Sequence, residues 1–161
     1  MQPLSLRRTS AGYGVASDNL PFDGAGAKAR IGMLKNMQVE VAKLHKDNDD
    51  EGYIQRARQT YQRLRDAWER AIEEVLLNGV VWRFKPGIST QSLREVAVED
   101  SDYIAIQNGM GKCSKYAHDG AAQAQVALPL PQELLDDIMA LDTWRESVVS
   151  RRKQLLLARP K

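Results

Sequence analysis

Two groups of side chains in this sequence have the residue types and spacing for acid–base chemistry. Arg65 and Glu69 stand four residues apart in a strongly periodic segment, so they share one face of a predicted helix. Such a pair is also an ordinary i,i+4 ion pair of a helix surface. The segment from Lys112 to Asp119 contains His118, which can act as a general acid or base near pH 7. The helix dipole also favours a histidine at a helix C-terminus, so a structural role remains open.

Together, Arg65, Glu69 and His118 suit metal-free cleavage of RNA. A base would take the proton of the ribose 2′-hydroxyl, and a cation would stabilise the charge of the phosphorane. The three side chains can meet only if the second and third predicted helices pack antiparallel in the right register. The third predicted helix, at about 101–118, has an apolar stripe that we expect in the core and that consists of Tyr103, Ile106, Met110, Cys113 and Ala117. Because Cys113 falls on this stripe, we interpret it as a buried small hydrophobe and not as a nucleophile.

The sequence lacks the motifs of several other kinds of active or binding site. There is no glycine-rich loop followed by Lys-Ser or Lys-Thr, no cluster of zinc ligands at the usual spacing, and no nucleophile elbow. We therefore predict no nucleotide site, no metal and no cofactor.

Hydrophobic periodicity predicts an all-α, up-and-down bundle of about four helices with an irregular N-terminal arm. Glycines and turn residues occupy positions 1–26, which we expect to form a flexible arm, and the bundle domain spans 27–157. Helices are predicted at about 27–46, 51–77 and 101–118, and from Pro131 or Gln132 onward. Asn78-Gly79 should end the second helix. We interpret the run Val80–Phe84 as an extended connector that the side chains of Trp82 and Phe84 hold in place.

Composition narrows the class of protein further. The 161 residues carry a net charge of +2, and 43% of them are hydrophobic, as in an ordinary globular domain. No apolar run is long enough to span a membrane, and no signal peptide is recognisable at the N-terminus. With one cysteine, we expect a cytoplasmic protein. The basic cluster Arg151-Arg152-Lys153 would support DNA binding, but it is more typical of a solvated helix end.

Several blocks of the sequence resemble a known group of proteins. The blocks are Asp18–Phe22, Ala29–Lys35, Leu64–Val81 with Arg83-Phe84, Lys112–Asp119 and Pro131–Ile138. They resemble the C-terminal region of large bacterial AAA-family ATPases of the SMC-like, coiled-coil-bearing type. Relatives of the PrrC type end in a HEPN-type helical ribonuclease domain, whose active residues are an Arg and a Glu one turn apart and a later His.

The resemblance implies catalytic roles for Arg65, Glu69 and His118. HEPN ribonucleases generally carry an Arg four to six residues before the His, and this sequence has Lys112 six residues before His118. Lysine keeps the charge but lacks the planar fork that grips a phosphate. Lys112 is therefore a further candidate.

Two functions follow as expectations. The first is an accessory domain that mediates protein–protein interaction or oligomerisation, with the parent or a partner ATPase or a second copy as its partner. It predicts an exposed apolar patch that uses Trp82, Phe84 or Trp144. The second is a metal-independent ribonuclease that cleaves tRNA, as a phage-defence toxin held in check by its ATPase.

Overall fold

Four long helices form the architecture, and they pack as an up-and-down bundle. The computed structural model describes residues 5–9, 12–17, 21–117 and 127–159. The helices are α1 (Ala27–Lys46), α2 (Asp50–Ala71), α3 (Asp100–Ala117) and α4 (Pro131–Ala158). The predicted all-α bundle is confirmed. In the described part of the chain, no helix is long and apolar enough to cross a membrane.

Side-chain contacts fix the direction of each helix relative to its neighbours. α2 runs parallel to α4, because Tyr61 meets Asp137, Trp68 meets Trp144, and Arg152 reaches the carbonyl of Val75. α2 runs antiparallel to α3, since the Tyr61 and Tyr116 rings lie 4.9 Å apart while Trp68 lies against Gly109. α1 runs antiparallel to both α2 and α4 and completes the bundle. All four helices contribute to one core, whose largest fully buried side chains are Leu34, Val41, Tyr61, Leu64, Trp68, Leu134, Ile138 and Leu141.

The second helix ends in an unusual turn. After Ala71 the chain continues as a π-helical turn, Ile72–Leu76. Asn78 and Gly79 then take left-handed φ angles of 49° and 66°, and the Gly79 amide donates to the Glu73 carbonyl. The predicted Asn-Gly stop is therefore confirmed, because these two residue types tolerate the left-handed conformation. A 3₁₀ helix, Thr90–Glu95, interrupts the connector that leads to α3.

Two short strands lie in the N-terminal stretch before the bundle. Strands β1 (Ser5–Thr9) and β2 (Gly12–Ser17) pair antiparallel, with Ser5 opposite Ser17 and Thr9 opposite Gly12. Residues 21–26 lie on the bundle, where buried Arg30 donates to the backbone carbonyls of Asp23 and Ala25. Burial and the charge of Arg70 lower the pKa of Arg30, but three backbone carbonyls hold its guanidinium.

The core-facing side of α3 differs from the prediction. Tyr103, expected in the core, is 65% exposed, whereas Asp102 beside it is 1% exposed. The Asp102 carboxylate accepts hydrogen bonds from the Trp144 indole at 3.0 Å and from Arg151 at 2.5 Å. It also accepts from the backbone amide of Glu99, before the start of the helix. A buried carboxylate with these partners sets the rotation of α3, and apolar spacing alone did not reveal it.

Candidate functional site

Arg65 and Glu69 lie on the face of α2 that borders α3. Their side chains form the predicted i,i+4 pair, with 3.4 Å between Arg65 Nε and Glu69 Oε1. Arg65 also donates from Nη1 to the hydroxyl oxygen of Ser114 on α3, at 2.7 Å. Ser114 precedes His118 by four residues in the sequence. The structure thus places Arg65 against the C-terminal half of α3.

Glu69 has a second cationic partner that the sequence analysis did not predict. Arg83, in the connector after the α2 stop, bonds Glu69 through Nη1 and Glu73 through Nε. The hydrogen bond to Glu69 is the main cause that raises the pKa of Arg83, so the guanidinium stays charged. Both carboxylate oxygens of Glu69 therefore face guanidinium groups, Oε1 that of Arg65 and Oε2 that of Arg83. To act as a base, Glu69 would first have to release one of them.

Lys112 points away from this pair. Its Nζ lies 2.6 Å from Asp137 Oδ1 and 3.7 Å from Glu133 Oε1, both on α4. The hydrogen bond to Asp137 raises the pKa of Lys112. Lys112 and Ser114 are two residues apart, roughly 200° around the helix. The structure therefore does not bring Lys112 to Arg65.

His118 lies outside the described residues, so convergence of the trio stays a prediction. One part of the condition on which it depends is met, because α2 and α3 run antiparallel. Arg65 contacts Ser114, which lies five residues further along α3 than Gly109, the residue that Trp68 contacts.

Cys113 is buried between the helices, as expected for a structural cysteine. Burial, followed by the charge of Asp137, raises the pKa of its thiol to about 12. A thiol with that pKa stays protonated at neutral pH, which excludes a thiolate nucleophile at this position.

Two of the three side chains of the basic cluster near the end of α4, Arg151 and Arg152, are held by contacts within the protein, and Lys153 is exposed. Arg151 pairs with Glu99 and buried Asp102 and donates to the Ala97 carbonyl. Arg152 donates to the Val75 carbonyl. Both guanidinium groups fasten α4 to the segments around the connector, so a phosphate would have to displace these contacts.

Exposed apolar side chains concentrate along one segment. Seven of the thirteen large apolar side chains exposed in the described chain lie between positions 81 and 104. We call these seven residues the connector surface; they are Val81, Phe84, Ile88, Leu93, Val98, Tyr103 and Ile104. Phe84 is 92% exposed, so its predicted pinning role is wrong. Trp82 does pin the connector, because it is half-buried between Arg70 and Lys85. Trp144 is buried and cannot contribute to an exposed patch.

The connector surface lies at one end of the bundle. The Ser89 amide donates to the Val80 carbonyl at 2.9 Å, which closes the connector into a loop, and Asn78 donates to Glu95 across its base. Arg159, at the end of α4, donates to the carbonyls of Leu93, Arg94 and Val96. The apolar side chains therefore stand on a segment held in place by hydrogen bonds.

Comparisons with protein-family models, with curated proteins and with solved structures gave no match. By its fold and its exposed surface, the described part of the chain is a four-helix up-and-down bundle with an apolar connector surface at one end.

Proposed function

We propose that this chain is an accessory helical domain that binds a protein partner through the connector surface. The observation that carries the proposal is that seven of the thirteen large apolar side chains exposed in the described residues lie in the segment 81–104. Exposed apolar side chains gathered in one place are typical of interaction sites, whereas scattered ones are ordinary. The resemblance supports an AAA-type ATPase as the partner, and self-association is the other form of the same function.

The test compares two pairs of substitutions. Phe84→Ser with Ile88→Ser removes the centre of the connector surface. Val39→Ser with Ile54→Ser is the control, because these residues are also apolar and exposed, at 64% and 40%, but lie on α1 and α2 outside that surface. Sedimentation over a concentration series measures self-association, and affinity capture from the native host measures binding of an AAA-type ATPase.

Loss of either association in the Phe84/Ile88 variant, with retention in the control, would support the proposal. Equal association of both variants, or no association of the wild type in either assay, would refute it. All four substitutions are at exposed positions, so each should change the free energy of unfolding by only about 0.5 kcal/mol.

A second candidate, a metal-independent ribonuclease, is supported by the antiparallel packing of α2 and α3 and by the Arg65–Ser114 hydrogen bond. The assay is cleavage of total tRNA in EDTA. His118→Ala should abolish cleavage, while His45→Ala, which replaces the other histidine, should leave it unchanged. Loss of a general acid or base lowers the rate by roughly 10²- to 10⁴-fold. No cleavage by the wild type would favour the interaction domain.

A further inference from the structure

The charges in the segment that carries the connector surface are separated along the chain. Residues 81–94 include three cationic residues and no carboxylate, whereas residues 95–104 include four carboxylates and no cationic residue. We call these two stretches the basic half and the acidic half. Four of the seven side chains of the connector surface belong to the basic half and three to the acidic half. Each half therefore combines exposed apolar side chains with charged residues of one sign.

The two halves are anchored on neighbouring helices at the same end of the bundle. Arg83 of the basic half pairs with Glu69 of α2. Glu99 of the acidic half pairs with Arg151 of α4. At this end of the bundle α4 also contacts the π-helical turn that follows α2. The basic half and the acidic half therefore lie over adjacent helices.

One exposed charge in each half has no ion-pair partner among the described residues. In the basic half it is Lys85, whose ammonium group lies 5.2 Å from the centroid of the Trp82 ring. In the acidic half it is Asp100, which is exposed at the first position of α3. The other exposed charges of the two halves, Arg83 and Glu99, already pair with groups of the same chain. The charges that remain for a partner are therefore of opposite sign in the two halves.

A surface with one basic and one acidic half is complementary to itself. In a two-fold dimer every contact occurs twice with the roles exchanged, so the basic half of each copy can meet the acidic half of the other. A partner surface with charges of a single sign would be repelled by one of the halves.

From these features we infer that the connector surface binds the connector surface of a second copy across a two-fold axis. Lys85 of each copy faces Asp100 of the other, and the apolar side chains between these contacts are removed from water. The inference rests on the proposed function and assigns self-association to it.

Charge reversals test this pairing in sedimentation equilibrium of the full chain over a concentration series. Lys85→Glu and Asp100→Lys each replace two attractive contacts of the dimer by two repulsive ones, so each variant should dimerise roughly tenfold more weakly than the wild type. An equimolar mixture of the two variants should regain the wild-type affinity. In the mixed dimer each reversed charge faces the other reversed charge, and each native charge faces the other native charge.

The matched controls are Lys43→Glu and Asp136→Lys, which reverse exposed charges near the end of α1 and near the start of α4. Both positions lie at the opposite end of the bundle from the connector surface. Neither control should change the association, alone or in mixture. Circular dichroism checks that each variant is folded.

Three results would overturn the inference: a wild type that stays monomeric, reversals that weaken the dimer no more than the controls, or a mixture that associates as weakly as its components. None of them would refute the proposed function if Phe84→Ser with Ile88→Ser still abolished capture of an AAA-type ATPase. The two proposals can therefore fail separately.

Discussion

Two glycines of α3, two residues apart, should respond in opposite ways to replacement by alanine. A Cβ atom at Gly109 would lie 2.4 Å from Cε2 and 2.5 Å from Cζ2 of the Trp68 ring. At Gly111 no atom of the described residues lies within 4 Å of the added atom. Both positions are helical, so alanine gains roughly 1 kcal/mol of helix propensity at each. Only the steric term differs between them.

The steric term at Gly109 is large because Trp68 cannot move away. Its ring is buried and packs 5.1 Å from the ring of Trp144, at the centre of the core. Overpacking of a well-packed core costs typically about 1–3 kcal/mol and occasionally more, and a contact of 2.4 Å is at the severe end. We therefore expect Gly109→Ala to destabilise the protein by about 1–2 kcal/mol net. Gly111→Ala should stabilise it by about 0.5–1 kcal/mol.

Urea unfolding and thermal unfolding, both followed by circular dichroism, measure the two variants against the wild type. For a chain of this length, 1 kcal/mol corresponds to a shift in melting temperature of roughly 2–4 °C. The two variants should therefore melt on opposite sides of the wild type. If Gly109→Ala were as stable as Gly111→Ala, the close packing of α3 on Trp68, and with it the register of α2 and α3, would be wrong.

Two further predictions concern buried polar groups. Asp102→Ala leaves the buried Trp144 indole without its acceptor and removes one of the two carboxylates that pair with Arg151, which keeps Glu99. Urea unfolding should therefore show a loss of about 1–3 kcal/mol, against about 0.5 kcal/mol or less for exposed Asp100→Ala. A loss at Asp102 as small as that at Asp100 would contradict the buried network. Burial and Asp137 raise the pKa of the Cys113 thiol from 9.0 to about 12. The contribution of the protonated thiol to stability is thus complete below pH 9 and is lost as the pH rises toward 12. Over that range the free energy of unfolding should fall by up to about 1.4 kcal/mol per pH unit. Cys113→Ala should not show this fall. A thiol reagent at pH 8 should modify Cys113 only in urea, and rapid reaction of the native protein would refute its burial.

The bundle was predictable because its determinants are local. The apolar residues of α1, α2 and α4 recur at three- and four-residue steps, and Asn78-Gly79 and Pro131 mark a helix end and a helix start by their own backbone preferences. The rotation of α3 was not predictable from such patterns. It depends on Asp102, whose burial is stabilised by Trp144 and Arg151, more than forty residues away in the sequence. A pattern of apolar residues assigns every carboxylate to the solvent-facing side of a helix. It therefore predicted Tyr103 in the core instead of Asp102.

The candidate site shows the same division between local and distant contacts. The Arg65–Glu69 pair follows from a spacing of four on one helix, and the structure confirms it. The link from Glu69 to Arg83 crosses a helix stop, where the chain direction cannot be read from periodicity. Ser114 and Asp137 were not predicted either, because each meets its partner on another helix. A spacing rule works within an element, and these contacts join elements.

Arg83 connects the two candidate functions, and this determines which substitutions can separate them. Its guanidinium bonds Glu69 and Glu73 on one side and lies 5.8 Å from the ring centroid of exposed Phe84 on the other. A change at Arg83 would therefore disturb both the charged pair on α2 and the apolar surface, whichever of them functions. Phe84→Ser removes none of the ion pairs of Glu69 with Arg65 and Arg83. His118→Ala leaves the connector surface intact. These two positions, and not Arg83, distinguish a binding domain from a ribonuclease.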